Sequence, residues 1–249
     1  WYMRRYTPKY IQSSDIILTV SQATQSDLIN LYHTDPSKIV ITHNAPSAVY
    51  RPLSDEERLD FKSEKTEGHD FFLFVGAIHP RKNVLKLLEA FEQFKKQYQT
   101  SHKLVLIGRM AWQYNRELTY LETMNYRSDV IRIPHSDPKA IAEWMGAATA
   151  LILISHYEGF GVPLVEAMAC HTPIICSNIS SMPEISGNAA IHVDPNNTHE
   201  ISEAMYHIST DMTLRDRLIQ AAQSQISKYT WESAADIAWG AVESLLDSK

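Results

Sequence analysis

Two cysteines in 249 residues, Cys170 and Cys176, leave no material for a disulfide framework, and neither sits in a Cys/His spacing that holds zinc. Both read as buried, reduced thiols, which suits a cytosolic protein. Long apolar runs are also missing. FFLFV at Phe71–Val75 and the stretch Ala147–Ile154 fall well short of the ~20 residues that a membrane helix needs. Basic charge is not in excess: 23 Lys and Arg stand against 29 Asp and Glu, for a net charge of -6. That balance argues against a general nucleic-acid or anionic-membrane binder and leaves room for a local basic patch that holds a phosphate. The chain opens on Trp1 without the charged, apolar and cleavage segments of a signal peptide, so it reads as an interior piece of a longer protein. What is present is apolar content of 44%, enough for a full core.

From Phe71 onward, short apolar runs alternate with amphipathic stretches. FFLFV precedes Val84–Tyr98, KLVLIG at Lys103–Gly108 precedes Glu117–Asn125, and VIRI at Val130–Ile133 precedes Pro138–Ala148. TALILIS at Thr149–Ser155 precedes a helix from Pro163 to about His171. PIICS at Pro173–Ser177 follows, and AAIHV at Ala189–Val193 precedes Thr198–Ser209. Continuously apolar strands, each followed by a helix, predict a doubly wound, Rossmann-like parallel sheet of the α/β class, covered on both faces. Asp137 with Pro138, and Asn197 with Glu200 three residues on, read as an N-cap and a capping box. His135 and Asp137 therefore need no chemical role.

The first residues form a similar, incomplete pattern: a strand at Asp15–Val20, a helix from about Ser21 and a strand at Ile39–Thr42. They predict a piece of a different sheet, 1–43. Residues 44–70 are rich in Pro, Ser and charge and read as a connector, with Ser54 and Glu57 capping a short helix inside it. Residues 71–229 make the six-stranded domain, and 230–249 a last helix that crosses out of it.

In an open parallel sheet, ligands lie off the carboxyl ends of the strands, where the strand order reverses. After the first strand of the domain comes Gly76-Ala77-Ile78-His79-Pro80-Arg81-Lys82-Asn83. Two adjacent cations at a loop-to-helix junction outline a phosphate site, though they also suit an ordinary solvated surface. A single glycine there fails the three-glycine dinucleotide pattern, so a nicotinamide cofactor is not expected. After the fourth strand comes Glu158-Gly159-Phe160-Gly161-Val162-Pro163-Leu164-Val165-Glu166. Its glycines free the backbone to approach a ligand, and its two carboxylates supply acceptors for sugar and ribose hydroxyls. The plainer reading leaves Glu158 a surface charge and Glu166 a complement to the helix dipole.

These blocks resemble the retaining glycosyltransferases of family four, the group that includes sucrose synthases, bacterial mannosyltransferases and lipopolysaccharide glycosyltransferases. The resemblance covers nearly the whole chain. It rests on ILTVSQAT at Ile17–Thr24, FVGAIHPRKN at Phe74–Asn83, LVLIGRMAW at Leu104–Trp112, EGFGVPLVEAMAC at Glu158–Cys170 and SNISSMPEISGNAAIHVDP at Ser177–Pro195. It implies the C-terminal, donor-binding half of a GT-B fold. Lys82 and Arg81 would contact the donor diphosphate near Gly76, Glu166 would hold the ribose, and Glu158 with the backbone from Gly159 through Phe160 and Gly161 to Leu164 would embrace the donor sugar. The cations would stabilise the leaving nucleoside diphosphate, so neither a metal nor any cofactor is expected beside the nucleotide-sugar co-substrate. Retention would follow from front-face attack, with the carboxylates as binders rather than nucleophiles.

The chain departs from the family at Ala77, where many relatives carry arginine, which throws weight onto Arg81 and Lys82 and makes Arg109, after the second strand, a further candidate. Its hinge reads His43-Asn44-Ala45-Pro46. Base recognition is expected around Pro134–Ser136. Transfer of a hexose, mannose by the PRKN-type loop, to a saccharide or lipid-linked acceptor is the implied function. The implied place is the cytoplasm, with peripheral contact at the inner face of the membrane. A non-catalytic nucleotide-sugar-binding scaffold is the alternative from another class. A pyridoxal-phosphate phosphorylase shares the two-domain plan, but its cofactor lysine context is not evident. The partner domain that binds acceptor lies outside this chain apart from its tail, so the chain alone is expected to bind donor weakly and transfer poorly. A transfer assay in which it turns over at ordinary rates overturns that expectation.

Overall fold

A computed structural model describes residues 2–111 and 115–247, with the side chains of 2–4 and 115 left aside. Trp112 of the second-strand motif lies outside the described residues, as do Trp1, Ser248 and Lys249 at the ends. Among the described residues, the order begins α1 (Tyr2–Ser13), β1 (Ile17–Thr19), α2 (Gln22–Tyr32), β2 (Ile39–Ile41) and α3 (Asp55–Thr66). It continues β3 (Phe71–Val75), α4 (Val84–Tyr98), β4 (Lys103–Ile107), α5 (Asn115–Thr123), β5 (Val130–Ile133) and α6 (Pro138–Ala147). Then come β6 (Ala150–Leu153), α7 (Val162–Ala169), β7 (Ile174–Ser177), α8 (Met182–Ser186) and β8 (Ala190–Val193). Three helices close the chain: α9 (Thr198–Thr210), α10 (Met212–Ile226) and α11 (Trp231–Asp247).

β1 and β2 pair in parallel as a separate two-stranded sheet. The main sheet runs β5-β4-β3-β6-β7-β8, and every pairing in it is parallel. This is a doubly wound, Rossmann-like sheet, and its order reverses between β3 and β6. β3 explains why both faces must be covered. Phe71 and Leu73 enter one apolar cluster while Phe72 and Phe74 enter the other, and all four are fully buried. Each such side chain contributes roughly 1.5–3 kcal/mol of burial, so a strand with one solvated face would forfeit half of that.

Local signals set many helix starts. Asp137 accepts from Ala140 N at 3.0 Å with Pro138 as the first helical residue. Ser54 and Glu57 form a reciprocal capping box, at 3.1 and 2.7 Å. The box read at Asn197 and Glu200 is only half made. Asn197 accepts from Glu200 N at 3.2 Å, but the Glu200 carboxylate turns back to Asp194 N, also at 3.2 Å. Beyond Phe71, two helices carried no expectation. The short α8 hides in a polar-looking block, and α10 buries only Leu218 and Ala222, too narrow a stripe to stand out by periodicity.

Residues 44–70 do more than connect. Tyr50 joins the core cluster on the α6/α7 face, the Phe61 and Trp144 rings meet edge-on at 4.9 Å, and Leu53 sits over Gly146, where a Cβ would fall 2.7 Å from it. The polar composition of this stretch belongs to the outer face of α3. At the other end, Thr42 Oγ1 donates to the Ala234 carbonyl at 3.0 Å, which ties α11 to the end of the small sheet. Among the described residues, no helix is long and apolar enough to cross a membrane.

His102 lies stacked on Phe72 at 5.2 Å and edge-on to Phe94 at 5.7 Å. Burial holds its imidazole down at about 4, against the pull of Asp70. In the unfolded chain it takes a proton near pH 6.5, so the unfolded state binds more protons between those values. Its contribution to stability is complete above that pH and is lost as the pH falls towards about 4. Urea denaturation should therefore show stability declining over this window, and His102→Phe should flatten the decline. An unchanged slope in the variant would assign the decline to other groups.

Candidate functional site

The reversal between β3 and β6 brings together the two loops that follow those strands. The loop after β3 is braced by its neighbour after β4. Ile78 N donates to the Arg109 carbonyl at 2.8 Å and Ala111 N to the Ile78 carbonyl at 2.9 Å. Gly108 makes this approach possible, because a Cβ there would stand 1.9 Å from the Gly76 carbonyl oxygen. The Arg109 side chain stays exposed at the rim.

Arg81 and Lys82 stand on a tight 3₁₀ turn, Pro80–Lys82, one step ahead of α4. His79 caps that turn by accepting from Arg81 N at 3.1 Å. Asn83 ends it in the left-handed region, and its buried carboxamide donates to the Ile154 carbonyl at 3.2 Å and the Pro195 carbonyl at 2.7 Å. The turn is thereby pinned to the ends of β6 and β8. The stem of Lys82 passes over Gly76, whose φ of 151° is a backbone conformation that other residues rarely adopt.

Lys82 Nζ reaches Glu158 Oε1 at 2.6 Å, and Arg81 NH1 reaches Oε2 at 3.0 Å. Ser155 Oγ adds a hydrogen bond to Oε1 at 2.7 Å, and Arg81 also donates to the Tyr157 carbonyl. Burial pushes the Glu158 carboxyl upward, but Lys82 leads the opposing effects and the net shift is down, so the group is ionised. Its backbone is held as firmly. The Glu158 carbonyl accepts from Ser180 Oγ at 2.7 Å and Ser181 Oγ at 2.9 Å, while its N–H donates to Ser180 Oγ at 3.1 Å. Ser155, Ser180 and Ser181 carried no expectation. The block at Ser177–Pro195 was the available signal, but it does not say which hydroxyls turn inward. Exposure separates the two cations: the Lys82 side chain is 12% exposed and that of Arg81 is 42%.

Other expected positions divide differently. Phe160 is a core residue, packed edge-on against Tyr229 at 5.6 Å and near His43 at 6.0 Å. Leu164 is likewise buried, beneath Gly161. Both side chains belong to the core, on either side of the left-handed residue Gly161, φ 88°. Leu164 also spends its N–H on the Gly161 carbonyl at 2.8 Å, and Pro163 has none, so the array of open amides shrinks. The Gly159 carbonyl is taken by Ser21 Oγ at 2.6 Å and Thr24 Oγ1 at 3.3 Å.

Glu166, on α7, lies in different surroundings from Glu158. Burial raises its carboxyl above the usual range, with the Tyr50 phenol as the opposing hydrogen-bond partner, and the Tyr50 phenol is itself pushed up by burial and then by Glu166. The Cys170 thiol nearby is raised to about 12, by burial first and then by Glu166, so it is inert as a nucleophile. The site thus offers two cations and an ionised, buried carboxylate at the strand crossover, with a second, half-buried carboxylate along α7. Among the described residues, no three His, Cys, Asp or Glu side chains converge as metal ligands.

Comparison with known proteins shows the family and the fold. Residues 55–225 match the family described as Glycosyl transferases group 1, and this chain belongs to that family. It is 31% identical over 237 residues to the O-antigen chain mannosyltransferase B of Escherichia coli, covering 93% of this chain and 61% of that protein. The chain therefore spans about three fifths of that relative's length. Among solved structures, HepE of Anabaena in complex with UDP and glucose superposes with a TM-score of 0.83 at 18% identity, covering 98% of this chain and 66% of that one. The C-terminal domain of a glycosyl transferase group 1 family protein (LpcC) from Francisella tularensis is covered over 97% of its length by 74% of this chain, at a TM-score of 0.64 and 23% identity. The fold is that of a GT-B glycosyltransferase, in its Rossmann-like C-terminal part.

Lys82→Met should cost about 3 kcal/mol, because it leaves a buried carboxylate short of a partner. The double replacement Lys82→Met with Glu158→Leu should be less destabilised than Lys82→Met alone. Guanidinium denaturation of the variants checks this, and equal or additive losses would mean that the ion pair is not a unit.

Proposed function

We propose that this chain binds a nucleoside-diphosphate sugar and serves hexosyl transfer, with retention of configuration, to a saccharide or lipid-linked acceptor. The observation that carries the reading is the pair of cations, Arg81 and Lys82, converging on Glu158 at the strand crossover in a chain of this family. A diphosphate placed there meets two positive charges already fixed in position, which favours the charge that builds on the leaving group as the glycosidic bond to phosphate breaks. Arg81, bonded to Glu158 and the Tyr157 carbonyl, keeps the more exposed side chain of the two and so the more open access for a diphosphate. Lys82, nearly enclosed, supplies fixed charge.

The state of Glu158 supports its role as a binder. Both of its oxygens are engaged by cations and Ser155, and its pKa is lowered, so it is a poor nucleophile towards an anomeric carbon. Front-face attack, in which the acceptor hydroxyl enters beside the departing phosphate, needs no protein nucleophile. Glu166 suits the ribose, because a partly desolvated carboxylate forms strong hydrogen bonds to hydroxyl donors. Mannose as the sugar is favoured by the PRKN loop and by the mannosyltransferase relative. A lipid-linked acceptor would place the protein at the inner face of a membrane through peripheral contact.

Calorimetric titration of the chain with GDP, UDP and ADP tests the reading. One nucleotide should bind preferentially, and Lys82→Ala and Glu166→Ala should each weaken it by ~1–3 kcal/mol. Binding that neither substitution affects would overturn the site.

A further inference from the structure

The loop that carries Glu158 is held from outside its own domain. Glu184, in α8, lays its carboxylate on the start of α2: Oε1 accepts from Gln22 N at 2.8 Å and Oε2 from Ala23 N at 3.2 Å. These are amides that a helix start leaves without internal partners, and the positive end of the helix dipole favours the negative charge. Ser21 is the N-cap of the same helix. Its hydroxyl receives Thr24 N at 3.1 Å and reaches the Gly159 carbonyl at 2.6 Å. One turn further along α2, Asp27 accepts from the Tyr157 hydroxyl at 2.9 Å. α2 therefore grips the residues on both sides of Glu158.

The same loop is held from the α8 side. Ser180 and Ser181, which lead into α8, bind the Glu158 carbonyl. Glu184 follows three residues later and reaches across to α2. The result is a closed ring of contacts: α8 to α2 through Glu184, α2 to residues 157–159 through Ser21 and Asp27, and those residues back to the α8 approach through the two serines. His43, in the hinge, stands 3.6 Å from Glu184 Oε1, so the ring closes next to the point where the chain passes from one sheet to the other.

We infer that Glu184 is a positioning residue, which by holding the start of α2 fixes the 157–159 loop and so sets the presentation of Glu158 to Arg81 and Lys82. The small sheet then does more than adjoin the donor domain, because movement of α2 is transmitted to the anion site through Ser21 and Tyr157. For its effect on nucleotide binding the inference rests on the donor reading above, whereas its effect on the loop does not. A simple capping role would confine the effect of Glu184 to α2.

The test is amide hydrogen exchange and nucleotide titration on the whole chain with Glu184→Gln, Glu184→Asp and Ser21→Ala. Glu184→Gln keeps the shape but loses the charge and one acceptor. It should speed exchange about tenfold both at Gln22 and Ala23 and in residues 156–161, at a nearly unchanged melting temperature. Ser21→Ala should reproduce the change in 156–161, and Glu184→Asp should restore part of it. The nucleotide that binds the parent chain should bind Glu184→Gln about fivefold more weakly. Faster exchange at Gln22 and Ala23 with 156–161 unaltered would overturn the inference. If Glu184→Gln does not fold, Ser21→Ala decides by the same exchange readout. If no nucleotide binds the parent chain, the donor reading fails while the exchange result still decides the positioning role.

Discussion

A carboxylate taken out of water is tolerated only where opposite charge and hydrogen-bond donors are already in place. Glu158 sets that requirement for this structure. Its two oxygens take Lys82, Arg81 and Ser155, and its backbone takes Ser180 and Ser181. These five partners come from three stretches of chain: the turn after β3, the end of β6 and the approach to α8. The buried charge thus binds three loops together at one end of the sheet. The stitch from Asn83 to the ends of β6 and β8 keeps the cationic turn from drifting.

The sheet makes this meeting possible. β3 and β6 are neighbours although two strands and the helices around them separate their positions in the chain. β3 can occupy the centre because its residues are apolar on both faces, so helices must cover it on each side. The crossover this imposes leaves a crevice at the carboxyl ends, and the loops after β3 and β6 have nowhere else to converge. Cation pair and carboxylate are consequences of a hydrophobic strand as much as of their own chemistry.

Function follows from what remains available once those internal demands are met. Arg81 keeps an exposed guanidinium, and Glu166 keeps a carboxylate shared with one phenol. Phe160, Leu164 and the Gly159 carbonyl are committed to packing and to α2. The surface open to a ligand is therefore narrower than the motif suggests, and the two cations at its centre are already paired with Glu158. Because α2 and the approach to α8 hold the same loop, the residues beside Glu158 are hydrogen-bonded both to the helix of the small sheet and to the main domain.

Much of this was legible in the residues themselves. The parallel, doubly wound sheet follows from alternating apolar runs and amphipathic stretches, and the caps at Asp137 and Ser54 follow from local chemistry within a turn. The site loops could be singled out because the carboxyl ends of strands are where such sheets bind. Periodicity did not reveal α10, with its two-residue buried stripe, or the packing of Tyr50, Leu53 and Phe61 within a segment of polar composition. Nor could it tell that Phe160 turns inward or that Glu200 reaches back to Asp194, since each depends on a backbone turn and on space left by distant side chains. The pairing of Lys82 with Glu158, and the reach of Glu184 to the start of α2, join residues far apart in the chain. Local propensity and pattern determine elements, because they act over a few residues. Which charges meet is decided only when the sheet order brings separate loops to one place and burial leaves them no water to turn to.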